Sequence, residues 1–168
     1  MSAPLPLRPF LLADTPRLQD LYAQAIEELT QDEYDEEQRF AWIERAADGQ
    51  AFADRLGKNI TILVEQDGEI LGFASLAGNT EIDMLYVHPH AVSQGVGSAL
   101  IDALERLAKA RGAEALTVDA SDTAHEFFSR RGYADVRRNT VPFGDVWLSN
   151  TTMTKPFAKP AAASSRSH

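Results

Sequence analysis

From Leu18 onward the apolar positions Leu18, Leu21, Tyr22, Ala25, Ile26 and Leu29 recur at three- and four-residue spacing, the period of a helix with one buried face. Asp14-Thr15-Pro16 ahead of them reads as its start, with proline in the first turn, and residues 7–10 read as a short first strand. A second helix is predicted over 36–56, with Phe40, Ile43, Ala47 and Phe52 inward, broken by Gly57-Lys58-Asn59. The pattern then turns to strands. Residues 59–66 and 70–77 flank the hairpin signal Asp67-Gly68-Glu69. Gly78-Asn79 leads into a strand over 81–87 that stops at His88-Pro89, because proline has no N–H for a ladder. The strongest helix follows at 95–111, with the stripe Leu100, Ile101, Leu104, Leu107 and Ala108, a Glu105–Lys109 pair, and Gly112 beyond its end. A strand over 115–119, a short helix over 123–131, and strands over 133–141 and 146–154 complete the order β-α-α-β-β-β-α-β-α-β-β. A meander feeding one strand–helix–strand crossover makes a mixed α/β sheet.

Composition narrows the classes. At 168 residues, 44% hydrophobic and 24% charged, the chain reads as one globular domain over 1–157, with a low-complexity tail expected over 158–168. No internal repeat is visible. A net charge of −9 argues against nucleic acid or an anionic membrane as partner, since both need a basic footprint. With no cysteine, disulfides, thiolate metal sites and a cysteine nucleophile are excluded. No apolar run approaches the length of a membrane span, and the first residues lack signal-peptide character, so a cytoplasmic protein is expected.

The chemistry concentrates in Leu85–Leu100, where a strand passes through a loop into a helix whose first turn holds Gly95 and Gly97. The first N–H groups of a helix lack intrahelical partners and sit at the positive end of its dipole. Glycine there lets an anion approach the backbone, which makes a pyrophosphate seat. The plainer alternative is that both glycines only permit close helix–sheet packing. A Walker A lysine is absent, and Leu100 stands where a dinucleotide fingerprint has its third glycine. Asp119 does sit where a ribose-binding acid would, so a nicotinamide-binding oxidoreductase stays a competitor.

The run Met84-Leu-Tyr-Val-His-Pro followed by Gln94-Gly-Val-Gly-Ser-Ala-Leu resembles the acetyl-CoA motif of the GNAT superfamily of acyl-CoA-dependent N-acetyltransferases. Ala124-His-Glu-Phe-Phe-Ser-Arg-Arg-Gly-Tyr133 resembles its second signature, and the similarity covers roughly residues 7–156. The nearest subgroup, on Arg131-Gly-Tyr and the 150–155 end, is that of bacterial YafP-like acetyltransferases.

The resemblance implies the acyl-CoA N-acyltransferase fold, a mixed, mostly antiparallel sheet of six or seven strands with about four helices. It implies that the third meander strand and the next strand splay apart after a bulge, with acetyl-CoA as cosubstrate in the gap. Its pantetheine would add to the sheet through the backbone of Leu85, Tyr86 and Val87. Its pyrophosphate would sit on Val92, Ser93, Gln94, Gly95, Val96, Gly97 and Ser98. Ser121 and Ala124 would flank the pantetheine, and Phe127 and Phe128 the thioester. Val92 departs from the family, which usually has Gln or Arg there. No metal is implied, and His88, His90 and His125 have no carboxylate at ligand spacing.

The implied reaction moves an acetyl group directly to a small or peptidic primary amine without a covalent intermediate. A base must take the amine's proton, and the departing thiolate needs a proton or a field. Glu81 matches the position of a family base and Asp83 a common acidic one; both could instead be a solvated strand end. Strand alternation would put them on the face of Leu85 and Val87. The usual acidic tyrosine is replaced by Phe128, leaving Tyr86, Tyr133, Ser121 or no dedicated acid. Between Glu27 and Glu37 stand seven acids and no Lys or Arg, either a solvated face or a funnel that selects a cationic acceptor. Arg106, Lys109, Arg111, Arg130 and Arg131 could meet the adenosine 3′-phosphate. The apolar Val146, Trp147 and Leu148 could serve a homodimer interface or the core. A non-catalytic acyl-CoA-binding module is the other reading.

Overall fold

The computed structural model describes residues 4–158; apart from Ala158, the expected tail lies outside the described residues. Seven strands are joined in the order β1-β2-β3-β4-β5-β7-β6: β1 (Leu7–Pro9), β2 (Ile60–Gln66), β3 (Glu69–Ala77), β4 (Glu81–Val87), β5 (Ala115–Ser121), β6 (Ala134–Phe143) and β7 (Val146–Pro156). Every pairing is antiparallel except β4 with β5. That parallel pair is joined through α4 (Val96–Ala110), the single crossover expected. One face buries Leu100, Ile101 and Leu104 of α4 with Phe128 of α5 (His125–Arg130). The opposite face buries Leu18, Leu21, Tyr22 and Ile26 of α1 (Thr15–Leu29) with Phe52 and Leu56 of α3 (Gly49–Lys58). With α2 (Glu36–Ile43) there are five α-helices among the described residues, one more than expected.

The extra helix comes from a break inside the span 36–56. Asp35 caps α2, accepting from the Gln38 N–H, while the Gln38 side chain accepts from the Asp35 N–H. A single 3-10 turn then ends at Ala46, and Asp48 caps α3 by accepting from the Ala51 N–H. Asp48-Gly49 is therefore a second helix start that apolar periodicity alone does not show. The break rotates α2, leaving Phe40 65% exposed and Ala47 exposed, whereas Phe52 is buried as expected. Leu148 is buried in the core, and Trp147 is exposed. No helix among the described residues is long and apolar enough to cross a membrane.

The sheet is least regular where the site forms. Ser75 pairs with Met84 and Leu76 with Ile82, so Asp83 is the extra residue of a β-bulge. Beyond it β4 and β5 diverge, pairing only at Glu81↔Thr117 and Ile82↔Val118.

Candidate active site

The bulge sets side-chain direction along β4. Ile82, Leu85 and Val87 join the α4 side, while Met84 and Tyr86 join the α1/α3 side. Asp83 lies with the second group, since its carboxylate accepts from Arg55 Nε and Nη2 of α3 at 2.8 and 2.9 Å and from Asn59 Nδ2 at 3.0 Å. Strict alternation had placed Glu81 and Asp83 with Leu85 and Val87. The extra residue breaks that phase, so the side chain of Asp83 stands opposite theirs.

The divergence frees backbone. The His88 N–H bonds the Leu71 carbonyl on β3, so along an antiparallel strand Tyr86 also turns its backbone groups to β3. Leu85 and Val87 turn theirs to the gap where β5 has left. The gap continues to the N-terminus of α4. Gly95 caps that helix at φ +78° with no capping side chain, leaving the first-turn N–H groups without one. Gly97 packs closely, because a Cβ there would lie 3.3 Å from the Phe127 ring, which would have to give by a few tenths of an ångström.

These features open into one cleft of about 810 Å³. Glu81, Asp83, Leu85, Tyr86, Val87, Val92, Ser93, Gly95, Gly97, Ser98, Ser121, Ala124, Phe127 and Phe128 all line it. Three expected residues do not. The Gln94 amide turns back to donate to the His90 carbonyl. The Val96 side chain is buried under α4, in line with the vacant position of Gly72, and offers the cleft only its backbone. Tyr133 is buried behind Phe128 and donates to Glu105 Oε2 at 2.8 Å. Burial, then that carboxylate, pushes its pKa up, so it has neither access nor acidity for work in the cleft. Arg130 and Arg131 are paired with Glu126 and Asp102.

Glu81 reaches the cleft from the start of β4. Partial desolvation, then the charges of Asp119 and Asp83, raise its pKa. Asp119, on β5, accepts from Thr152 Oγ1 at 2.6 Å and also lines the cleft. Tyr86 packs among Tyr22, Trp42 and Phe73, its hydroxyl accepting from Trp42 Nε1 at 3.1 Å. Burial raises its pKa and keeps it protonated.

Sequence reasoning missed Arg45, Arg55, Phe143 and Asn150 of the lining; they come from distant segments, and no local motif marks them. Of the two readings of the acidic run, the lining favours the solvated face over the funnel. None of the run's seven acids lines the cleft. Glu27 pairs with Arg39, Glu33 accepts from Thr123, and Asp35 caps α2.

Comparison with known proteins agrees with this architecture. A family model described as an acetyltransferase (GNAT) domain matches residues 30–156. The uncharacterized N-acetyltransferase YafP of Escherichia coli is 29% identical over 147 residues, 88% of this chain and 93% of that protein. The crystal structure of a GCN5-related N-acetyltransferase from Rhodopseudomonas palustris is 50% identical, with a TM-score of 0.91, covering 94% of this chain and 98% of its own. The PaiA N-acetyltransferase of Thermoplasma acidophilum, solved with coenzyme A, shares the fold at 17% identity and a TM-score of 0.75, covering 94% and 100%. The chain belongs to the GNAT acetyltransferase family.

Proposed function

We propose that the protein transfers the acetyl group of acetyl-CoA directly to a primary amine held in this cleft. The observation that carries the reading is the open ladder edge of Leu85 and Val87 running into the uncapped N-terminus of α4. An extended pantetheine arm needs paired amide partners and a pyrophosphate needs converging N–H groups, and this geometry offers both. The fold relatives solved with coenzyme A and with acetyl-CoA, PaiA and the putative acetyltransferase YncA of Salmonella typhimurium, favour the same cosubstrate.

In this reading the amine enters as an ammonium ion and gives a proton to Glu81, directly or through water. Its nitrogen then bonds to the thioester carbon, the carbon–sulfur bond breaks, and sulfur leaves with the electron pair. The second proton that the nitrogen sheds on becoming an amide ends on the thiolate, passed on by way of Tyr86. Asp83 is held by Arg55 and Asn59, which leaves Glu81 as the base. Tyr86, protonated and steadied by Trp42, is the donor toward the departing sulfur in place of the tyrosine that Phe128 replaces. No side chain need be acylated. A nicotinamide fold is set aside, since the sheet has one parallel pair and no second crossover half.

Titration calorimetry with acetyl-CoA is expected to show one site per chain, lost in a Gly95→Asp, Gly97→Asp variant. Free-thiol release with an amine panel then separates catalysis from mere binding. No binding at millimolar acetyl-CoA overturns the reading; binding without turnover leaves the non-catalytic module.

A further inference from the structure

Trp42 lines the cleft with Tyr22 and Tyr86, and it is bonded to both in directions that their chemistry fixes. An indole N–H can only donate, so in the 3.1 Å contact with Tyr86 the phenol oxygen is the acceptor. A carbonyl can only accept, so in the 3.0 Å contact with the Trp42 backbone the Tyr22 hydroxyl spends its proton. Of the three protons these groups carry, two are spent on Trp42 bonds; the one on Tyr86 is not. The brace also spans the gap. The Trp42 ring meets Tyr34 edge-on, with centroids 5.3 Å apart at 72°, and Tyr34 is bonded to Ser149 on β7 and to Asp122 beyond β5. Gln38, one turn earlier on α2, donates to the Trp147 carbonyl of β7. The helix thus hangs from the β5–β7 side, while its indole grips a phenol on β4. The Tyr22 ring, 4.6 Å from that of Tyr86, closes another side. Burial raises the Tyr86 pKa, and the Trp42 N–H and the Arg55 charge act against it, because both stabilise the phenolate left when the proton is given up.

We infer that Trp42 is a positioning residue for the transfer step: its indole N–H, bonded to the Tyr86 oxygen, holds that phenol with its own proton free for the departing sulfur. This rests on the acetyl-transfer reading above, with Tyr86 as donor, and adds the residue that sets the donor. Trp42 acts only through Tyr86, so its effect belongs to kcat and vanishes when the phenol is gone.

The test follows free thiol released from acetyl-CoA with isoamylamine, phenethylamine, spermidine and leucine as acceptors. The chain has no cysteine to add background. Trp42→Phe keeps an aromatic ring and removes the N–H. It is expected to lower kcat by about 10-fold, the worth of one neutral hydrogen bond, while the KM for acetyl-CoA stays unchanged. Tyr86→Phe alone should cost about 10²-fold or more, and adding Trp42→Phe to it should cost nothing further. A packing role gives instead the same loss in both backgrounds. That result, or an unchanged kcat in Trp42→Phe, overturns the inference. A second variant covers a Trp42→Phe chain that fails to fold: benzothienylalanine at position 42, in which sulfur replaces the N–H and the ring shape is kept. It is made in a Trp147→Phe chain, since Trp147 is the other tryptophan and is exposed, and the same loss of about 10-fold is expected. If Tyr86→Phe keeps its kcat, the donor assignment and this inference fall while acetyl transfer stands. If none of the amines is acetylated, transfer itself falls and this inference with it.

Discussion

At the scale of single residues, three carboxylates share the mouth of the β4–β5 gap and have different work because their partners differ. Asp83 is fixed by Arg55 and Asn59, Asp119 by the Thr152 hydroxyl, and Glu81 by neither. Partial desolvation and the two neighbouring charges raise the Glu81 pKa, which moves a carboxylate toward the range useful for a base near neutral pH. Glu81→Gln is therefore expected to lower kcat by about 10²- to 10⁴-fold with little change in acetyl-CoA affinity. The sign of the pH effect follows from the cause. Because the Asp119 charge disfavours ionised Glu81, Asp119→Asn should lower the Glu81 pKa and shift the acid limb of the kcat profile to lower pH. A limb that stays in place in that variant would show that Asp119 is not coupled to the base. That Glu81 would face the cleft was legible in the sequence because its distance from Val87 is a local property. The displacement of Tyr133 was not, because the Glu105 that claims its hydroxyl is 28 residues away.

At the scale of elements, the meander, the crossover and the limits of β4 were readable from period and punctuation, since each is a run of alternating or four-spaced apolar positions between Gly, Asn or Pro. A bulge ahead of the splay was implied by the family resemblance, but its place at Asp83 and its effect on side-chain phase were not readable. That place appears only in the register against β3, and the bulge alone turns Asp83 away from the face of Leu85 and Val87. Two glycines on either side of this junction should respond differently to alanine. At Gly72 a Cβ would lie 2.7 Å from Val96 Cγ1 and 3.0 Å from the Tyr86 carbonyl oxygen. Gly72→Ala must therefore push the first turn of α4 off the sheet, at a cost of about 1–3 kcal/mol. At Gly95 a Cβ meets nothing within 4 Å, and only the φ of +78° penalises it, by about 1–2 kcal/mol. Denaturant unfolding checks both. Calorimetry should add that Gly72→Ala weakens acetyl-CoA binding even though it lies outside the cleft, because it displaces the N–H groups of α4.

At the scale of the molecule, the gap that makes the site nearly divides the sheet, since β4 and β5 share only two paired positions. The connection between α1 and α2 ties the parts together across it. The buried Tyr34 hydroxyl donates to the Ser149 carbonyl on β7 at 2.6 Å and accepts from the Asp122 N–H after β5 at 2.9 Å. Thr123 donates to Glu33, and Gln38 donates to the Trp147 carbonyl. The acidic run that read as a funnel is in part this strap, with its charges outside the cleft lining. Tyr34→Phe removes one donor and one acceptor at once, leaving the Ser149 carbonyl and the Asp122 N–H without this partner, so a loss of about 1–3 kcal/mol is expected. That corresponds to roughly 2–4 °C in Tm per kcal/mol for a domain of this size. Alkaline pH gives a second reading of the same bond. Burial pushes the Tyr34 phenol up to about 12, above the ordinary value near 10. Its contribution is then fully present below about pH 10 and is lost as pH rises through about 12. Tyr22, Tyr86 and Tyr133 are raised as well, so Tyr34→Phe should flatten only part of the alkaline loss of stability. If Tyr34→Phe matches the wild type in Tm, in alkaline stability and in hydrogen exchange at the Asp122 amide, the two sides of the gap are held by β4, β5 and α4 alone, and the strap has no share in shaping the cleft.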